Sequence, residues 1–177
     1  METKLGKFKA AVLTTSDKGS KGEREDKSGK IIMDLLKGGP FEIAHYEMIP
    51  DDLEMIKERL LKFCDELQVD LVLTTGGTGF SGRDNTPEAT REVIEKEVPG
   101  IPEAMRFEGW KKTKRAMLSR GIAGLRGQTL IINLPGSPKA VTDSFQVLQP
   151  ILIHAIQLIR GEVKDCQSSS LLSHSHS

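Results

Sequence analysis

The sequence predicts an α/β fold: a mostly parallel sheet covered by helices on both faces. Two observations carry this. Short apolar runs alternate with amphipathic helical stretches four times along the chain. The alternation carries no internal repeat.

Phe8 to Thr15 is apolar and turns polar at Ser16-Asp17-Lys18-Gly19, as a buried strand ending in a loop does. Residues 18–30 are too charged and glycine-broken for a regular element. Ile31, Ile32, Leu35 and Leu36 recur at helical spacing, so a helix is expected over Ser28 to Lys37, stopped by Gly38-Gly39-Pro40. Phe41 to Ile49 reads as the second strand. Leu53, Ile56, Leu60, Phe63 and Leu67 form an apolar stripe along a second helix, and Val69 to Thr75 reads as the third strand. Gly76 to Asn85 is a loop. Thr86 suits an N-cap and Pro87 the first helical position, opening a helix that runs to about Val98 before Pro99-Gly100. Residues 102–124 are expected as one or two helices, and Thr129 to Leu134 as the fourth strand. Val141, Ser144, Leu148, Leu152, Ala155 and Ile159 share one face of a long helix that Pro150 should kink or split. The Ser-rich stretch from Asp165 onward is expected as a disordered tail, leaving residues 1–164 as a single domain.

The chain has 177 residues, enough for one domain with a sizeable core. Its 25 basic and 25 acidic residues cancel, so neither a nucleic acid nor an anionic membrane is indicated as a partner. Cys64 and Cys166 stand far apart with no zinc-ligand spacing, and Cys64, in an apolar helical stretch, reads as a buried thiol. No apolar run approaches the ~20 residues of a membrane helix. A cytoplasmic protein is expected. His45 and His154, isolated among apolar neighbours, read as packed residues, and Lys111-Lys112-Thr113-Lys114-Arg115 as a solvated face.

Right-handed crossovers place the strand-to-helix loops at one edge of the sheet, where open α/β sheets bind ligands. Four loops therefore converge: Ser16-Asp17, Pro50-Asp51-Asp52, Gly76 to Asn85, and Pro135-Gly136-Ser137-Pro138. In Thr75-Gly76-Gly77-Thr78-Gly79, glycines allow tight turning and close approach of a ligand to backbone amides that can cradle phosphate. No Gly-Lys-Ser/Thr follows, so this is not a Walker A loop. Asp84 admits two roles, capping a turn or pairing with Arg83, or holding Mg²⁺. Asp51 also admits two: the N-cap of a capping box with Glu54, or a second Mg²⁺ carboxylate. Ser137 and Pro138 repeat the helix-opening device and offer an anion site beside Lys139.

Thr74 to Thr90, TTGGTGFSGRDNTPEAT, resembles the MogA/MoaB family of molybdenum-cofactor proteins, which includes the gephyrin G domain. Leu13 to Asp17, Asp26 to Gly29, Ile49 to Asp51, Ala116 to Arg120 and Asn133 to Val141 follow the family's motifs in order. The resemblance implies a three-layer α/β/α homotrimer. It implies an enzyme that transfers AMP from ATP to the terminal phosphate of molybdopterin with Mg²⁺, releasing pyrophosphate, with a molybdenum-inserting partner protein downstream. The family's two essential aspartates correspond to Asp51 and Asp84, and its pterin-binding serine to Ser119. Gly76 to Gly79 and Gly136 to Pro138 would surround ligand phosphates. Gly82 stands where many relatives carry Pro, and Asn85 where many carry Val. A non-catalytic molybdopterin carrier with the same loops is the competing reading.

Overall fold

A computed structural model describes residues 7–163; the expectations for Cys166 and the 165–177 tail lie outside the described residues. The elements in order are β1 (Phe8–Thr15), α1 (Asp17–Ser20), α2 (Lys27–Lys37), β2 (Phe41–Ile49), α3 (Leu53–Leu61) with a π turn at Lys62–Glu66, β3 (Leu71–Thr75), α4 (Thr86–Val93), β4 (Lys96–Glu97), α5 (Gly100–Lys112), a 3-10 turn at Lys114–Leu118, β5 (Ala123–Arg126), β6 (Thr129–Leu134) and α6 (Pro138–Ile159).

They build one six-stranded sheet in the order β2-β1-β3-β6-β5-β4. The first four strands in that order are parallel, and β5 and β4 add an antiparallel edge. Alternate residues of the central strands feed two cores. Ala10, Val12, Leu71, Leu73, Leu130 and Ile132 pack against α2, α5 and α6. Ala11, Leu13, Val72 and Ile131 pack against α3 and α4. The result is the expected three-layer α/β/α arrangement.

Several expectations need correction. Residues 18–30 contain a short helix, α1, because the Ser16 hydroxyl accepts from the Gly19 N–H. The helix from Thr86 ends at Val93 rather than Val98, because Lys96 and Glu97 pair with Leu125 and Gly124. The segment expected to be helical up to residue 124 thus contains β5. Gly124 permits this: a Cβ there would lie 2.7 Å from the Lys96 carbonyl oxygen. Pro150 does not split α6. Buried Val141, Phe145, Leu148, Leu152 and Ile156 anchor the helix on both sides of it, while Gln146, whose carbonyl loses its helical donor, is exposed to water. His154 is exposed, not packed; His45 is half-buried with its ring 5.1 Å from that of Phe63. Burial lifts the Cys64 thiol to about 11, as a packed thiol requires. The 111–115 segment is exposed, as expected.

A buried amide ties the layers together beneath the site. Asn133 on β6 donates to Thr74 Oγ1 on β3 (3.0 Å) and Thr90 Oγ1 on α4 (2.9 Å), and accepts from the Ile122 N–H (3.1 Å). Asn133→Ala strands these groups away from water. It should cost about 2 kcal/mol, read as a lower urea midpoint at unchanged m.

Candidate active site

The chain reverses direction across the sheet between β1 and β3, and the turn after β3 lies at this switch point. Gly76 (φ +93°) has no space for a side chain: a Cβ would sit 2.3 Å from the Thr15 carbonyl oxygen. At Gly77 (φ +65°) a Cβ would sit 2.3 Å from Thr86 Oγ1 and 3.2 Å from Asp51 Oδ1. At Gly79 it would meet Asp84 Oδ2 at 2.9 Å. Asp51 and Asp84, from separate loops, therefore reach the same glycine turn.

Both capping expectations shift by one residue, and each shift frees a side chain. Asp52, not Asp51, caps α3, accepting from the Met55 N–H (2.9 Å). Asn85, not Thr86, occupies the N-cap position of α4, and Thr86 is buried with its hydroxyl 3.2 Å from that of Thr15. Asp51 instead exchanges hydrogen bonds with Asp17: the Asp17 N–H donates to Asp51 Oδ2 and the Asp51 N–H to Asp17 Oδ1, both at 3.0 Å. Asp51 Oδ1 is buried beside Thr15, and among the described residues no group is placed to hydrogen-bond it with good geometry. Burial raises the Asp51 carboxyl above its ordinary value, and the charges of Asp17 and Asp84 add to the rise.

Arg83 does not pair with its neighbour Asp84. Its guanidinium grips Asp17 through two bonds of 2.9 and 2.8 Å and holds that carboxyl down at about 2. Asp84 Oδ2 accepts from the Ser81 N–H (2.8 Å), which closes a local turn. Gly82 faces open space: a Cβ there would meet no other group.

The remaining loop joins here. The Thr75 hydroxyl donates to the Pro135 carbonyl (2.7 Å), the Ser28 hydroxyl to that of Gly136 (2.8 Å), and Gly136 packs on Gly76. Ser137 caps α6 with Pro138 in its first turn, as expected. Two cavities flank this junction. One, of about 700 Å³, is lined by Thr14, Ser16, Asp26, Thr75, Gly76 and Gly136; the buried Thr14 Oγ1 on its wall has no partner among the described residues. The other, of about 850 Å³, is lined by Arg106, Arg115, Ser119, Pro135, Lys139 and Val147. Ser137 borders both. Ser119 thus lies across the α6 start from the first cavity, and Asp17, Asp51, Gly77, Thr78, Gly79 and Asp84 line neither. Thr78 is buried, its carbonyl accepting from the Arg120 N–H. Arg120, unremarked as a charge in the sequence, also binds the Gly79 and Asp84 carbonyls and Glu88. Nothing in local composition separates it from the other arginines.

Residues 11–154 match the family described as "Probable molybdopterin binding domain". The chain belongs to that family. It is 46% identical over 153 residues to a molybdopterin adenylyltransferase of Helicobacter pylori, covering 85% of this chain and 86% of that protein. A protein of the same name in Escherichia coli K12 is 35% identical over 159 residues, covering 86% and 81%. Among solved structures, the molybdopterin biosynthesis enzyme MoaB of Thermus thermophilus superposes with a TM-score of 0.83 at 52% identity, covering 87% of this chain and 97% of that one.

Within this molybdopterin-binding domain, the aspartate pair should separate stability from site chemistry. Asp52→Ala should cost about 1 kcal/mol of capping, seen as a lower melting temperature. Asp51→Asn should melt higher than the parent at neutral pH, because it removes a half-buried charge facing two others. Acid should loosen the Asp17–Arg83 grip. Asp17 is depressed from 3.8 to about 2, so its contribution is full above its ordinary value and is lost as pH falls toward 2. In Arg83→Ala, NMR titration should show the Asp17 carboxyl moving back up.

Proposed function

We propose that this chain is a molybdopterin adenylyltransferase of molybdenum-cofactor biosynthesis, the activity for which its Helicobacter and Escherichia relatives are named. The observation that carries the reading is the pair Asp51 and Asp84 at one glycine turn, with a buried Asp51 oxygen left without a well-placed partner among the described residues.

The bond made joins a terminal phosphate oxygen of molybdopterin to the α-phosphorus of ATP. The bond broken joins that phosphorus to the bridging oxygen of the departing pyrophosphate. The attacking phosphate is already anionic, so no strong base is required, and the protein contributes alignment and charge neutralisation.

The residues present fit Mg²⁺. Among the described residues no three His, Cys, Asp or Glu side chains cluster as an all-protein metal cage. Magnesium is commonly held by one or two carboxylates with substrate phosphates and water, and Asp51 and Asp84 would supply them. Bound there, the ion would offset charge on the phosphates. Ser16, Asp17, Thr75, the Gly76–Gly79 turn and Gly136 to Pro138 are the proposed nucleotide and phosphate contacts. Ser119, on the wall of the larger cavity with Arg106, Arg115 and Lys139, is the proposed pterin contact. A homotrimer, a cytoplasmic location and a molybdenum-inserting partner belong to the same proposal.

The test is direct. The purified chain with Mg²⁺, ATP and molybdopterin should yield adenylylated molybdopterin and pyrophosphate in equal amounts. Asp84→Asn should keep its melting temperature and lose about 100-fold or more in rate. Tight pterin binding without pyrophosphate would establish a carrier instead.

A further inference from the structure

The Arg120 side chain touches three parts of the site at once. Its Nε donates to the Gly79 carbonyl (2.7 Å), one terminal nitrogen to the Asp84 carbonyl (2.7 Å), and the other to the Glu88 carboxylate. Its own N–H donates to the Thr78 carbonyl (2.9 Å). The segment bearing Arg120 is fixed from the opposite side, where Arg106 donates to the carbonyls of Ser119 (3.3 Å) and Gly121 (2.9 Å).

We propose that Arg120 is a positioning residue for adenylyl transfer, holding the glycine turn and Asp84 in their reactive arrangement; this rests on the function proposed above. In a trans peptide the C=O and the following N–H point in opposite directions. Drawing the Thr78 and Gly79 carbonyls to Arg120 therefore turns the N–H groups of Gly79 and Phe80 away from it. Among the described residues neither N–H donates to a protein acceptor, so both remain available to an anion. The bond to the Asp84 carbonyl fixes the main chain from which that carboxylate projects.

Glu88 matters to the assignment. Its carboxylate balances the guanidinium, so Arg120 acts through geometry rather than as a free cation attracting phosphate. A planar fork is needed to reach Gly79, Asp84 and Glu88 together; a lysine ammonium is a single point and cannot. Arg120 also follows Ser119 directly, so the wall of the larger cavity and the Asp84 loop are joined through one residue.

The experiment compares wild type, Arg120→Ala and Arg120→Lys as full chains. For Arg120→Ala, kcat for AMP transfer should fall about 100-fold, as misplaced reacting groups do, while KM for ATP and for molybdopterin stays within about threefold. Millimolar guanidinium should restore about tenfold or more of the lost kcat. Methylammonium should not, and wild type should not respond to either. Arg120→Lys should be no better than Arg120→Ala. Arg120→Ala turning over within about threefold of wild type, or an activity loss that follows its unfolded fraction and ignores guanidinium, would overturn the assignment. A wild-type chain that transfers no AMP would instead overturn the functional reading, and the positioning role with it.

Discussion

The site exists because no side chain fits where the ends of β1 and β3 meet. Gly76 approaches the Thr15 carbonyl so closely that even a methyl group would collide with it. Gly77 lies among Thr15, Thr86 and Asp51 on the same terms. Both glycines are in the left-handed region, where L side chains are strained. The close packing of main chain on main chain gathers loops from four parts of the sequence around one turn. Without it, Asp51 and Asp84 would belong to unrelated surfaces.

Charge is distributed unevenly around that turn. Asp17, Asp51 and Asp84 supply three carboxylates, and the nearby arginines are already engaged, Arg83 with Asp17 and Arg120 with Glu88. The turn is therefore a region of excess negative charge bordered by free backbone amides. Such a region favours a cation before it favours a phosphate, which is what the function proposed above asks of it. The buried Asp51 oxygen is costly to the free protein. Groups held under strain of this kind are commonly retained for function at the expense of stability.

Much of this was legible in the sequence. The central parallel strands β3 and β6 are largely apolar runs, β2 is mixed, and α2, α3 and α6 carry their stripes openly. The converging loops followed from alternation and handedness alone. The caps show where local reading stops. Asp51 followed three residues later by Glu54 fits a capping box, and Asp52, followed by Met55, does not; the reciprocal bonds with Asp17, 34 positions away, hold Asp51 elsewhere and leave Asp52 to cap α3. Thr86 before Pro87 is a persuasive cap until Thr15 appears beside it. The antiparallel edge was missed because β4 has two exposed charged residues and β5 is interrupted by glycine, so neither has a strand's periodicity. Arg120 closes the Ala116–Arg120 motif, but its role was not legible there, because it lies in which carbonyls the side chain meets, and these are set by tertiary contact.

The start of α6 has one further consequence. Ser137 borders both cavities, so a single helix terminus forms the partition between two compartments. Its partial positive charge is one quantity, about half an elementary charge, felt by whatever anions settle on either side. Each negatively charged guest would feel that attraction in full, and the two would repel one another across the helix end. Filling one side would therefore raise the cost of filling the other.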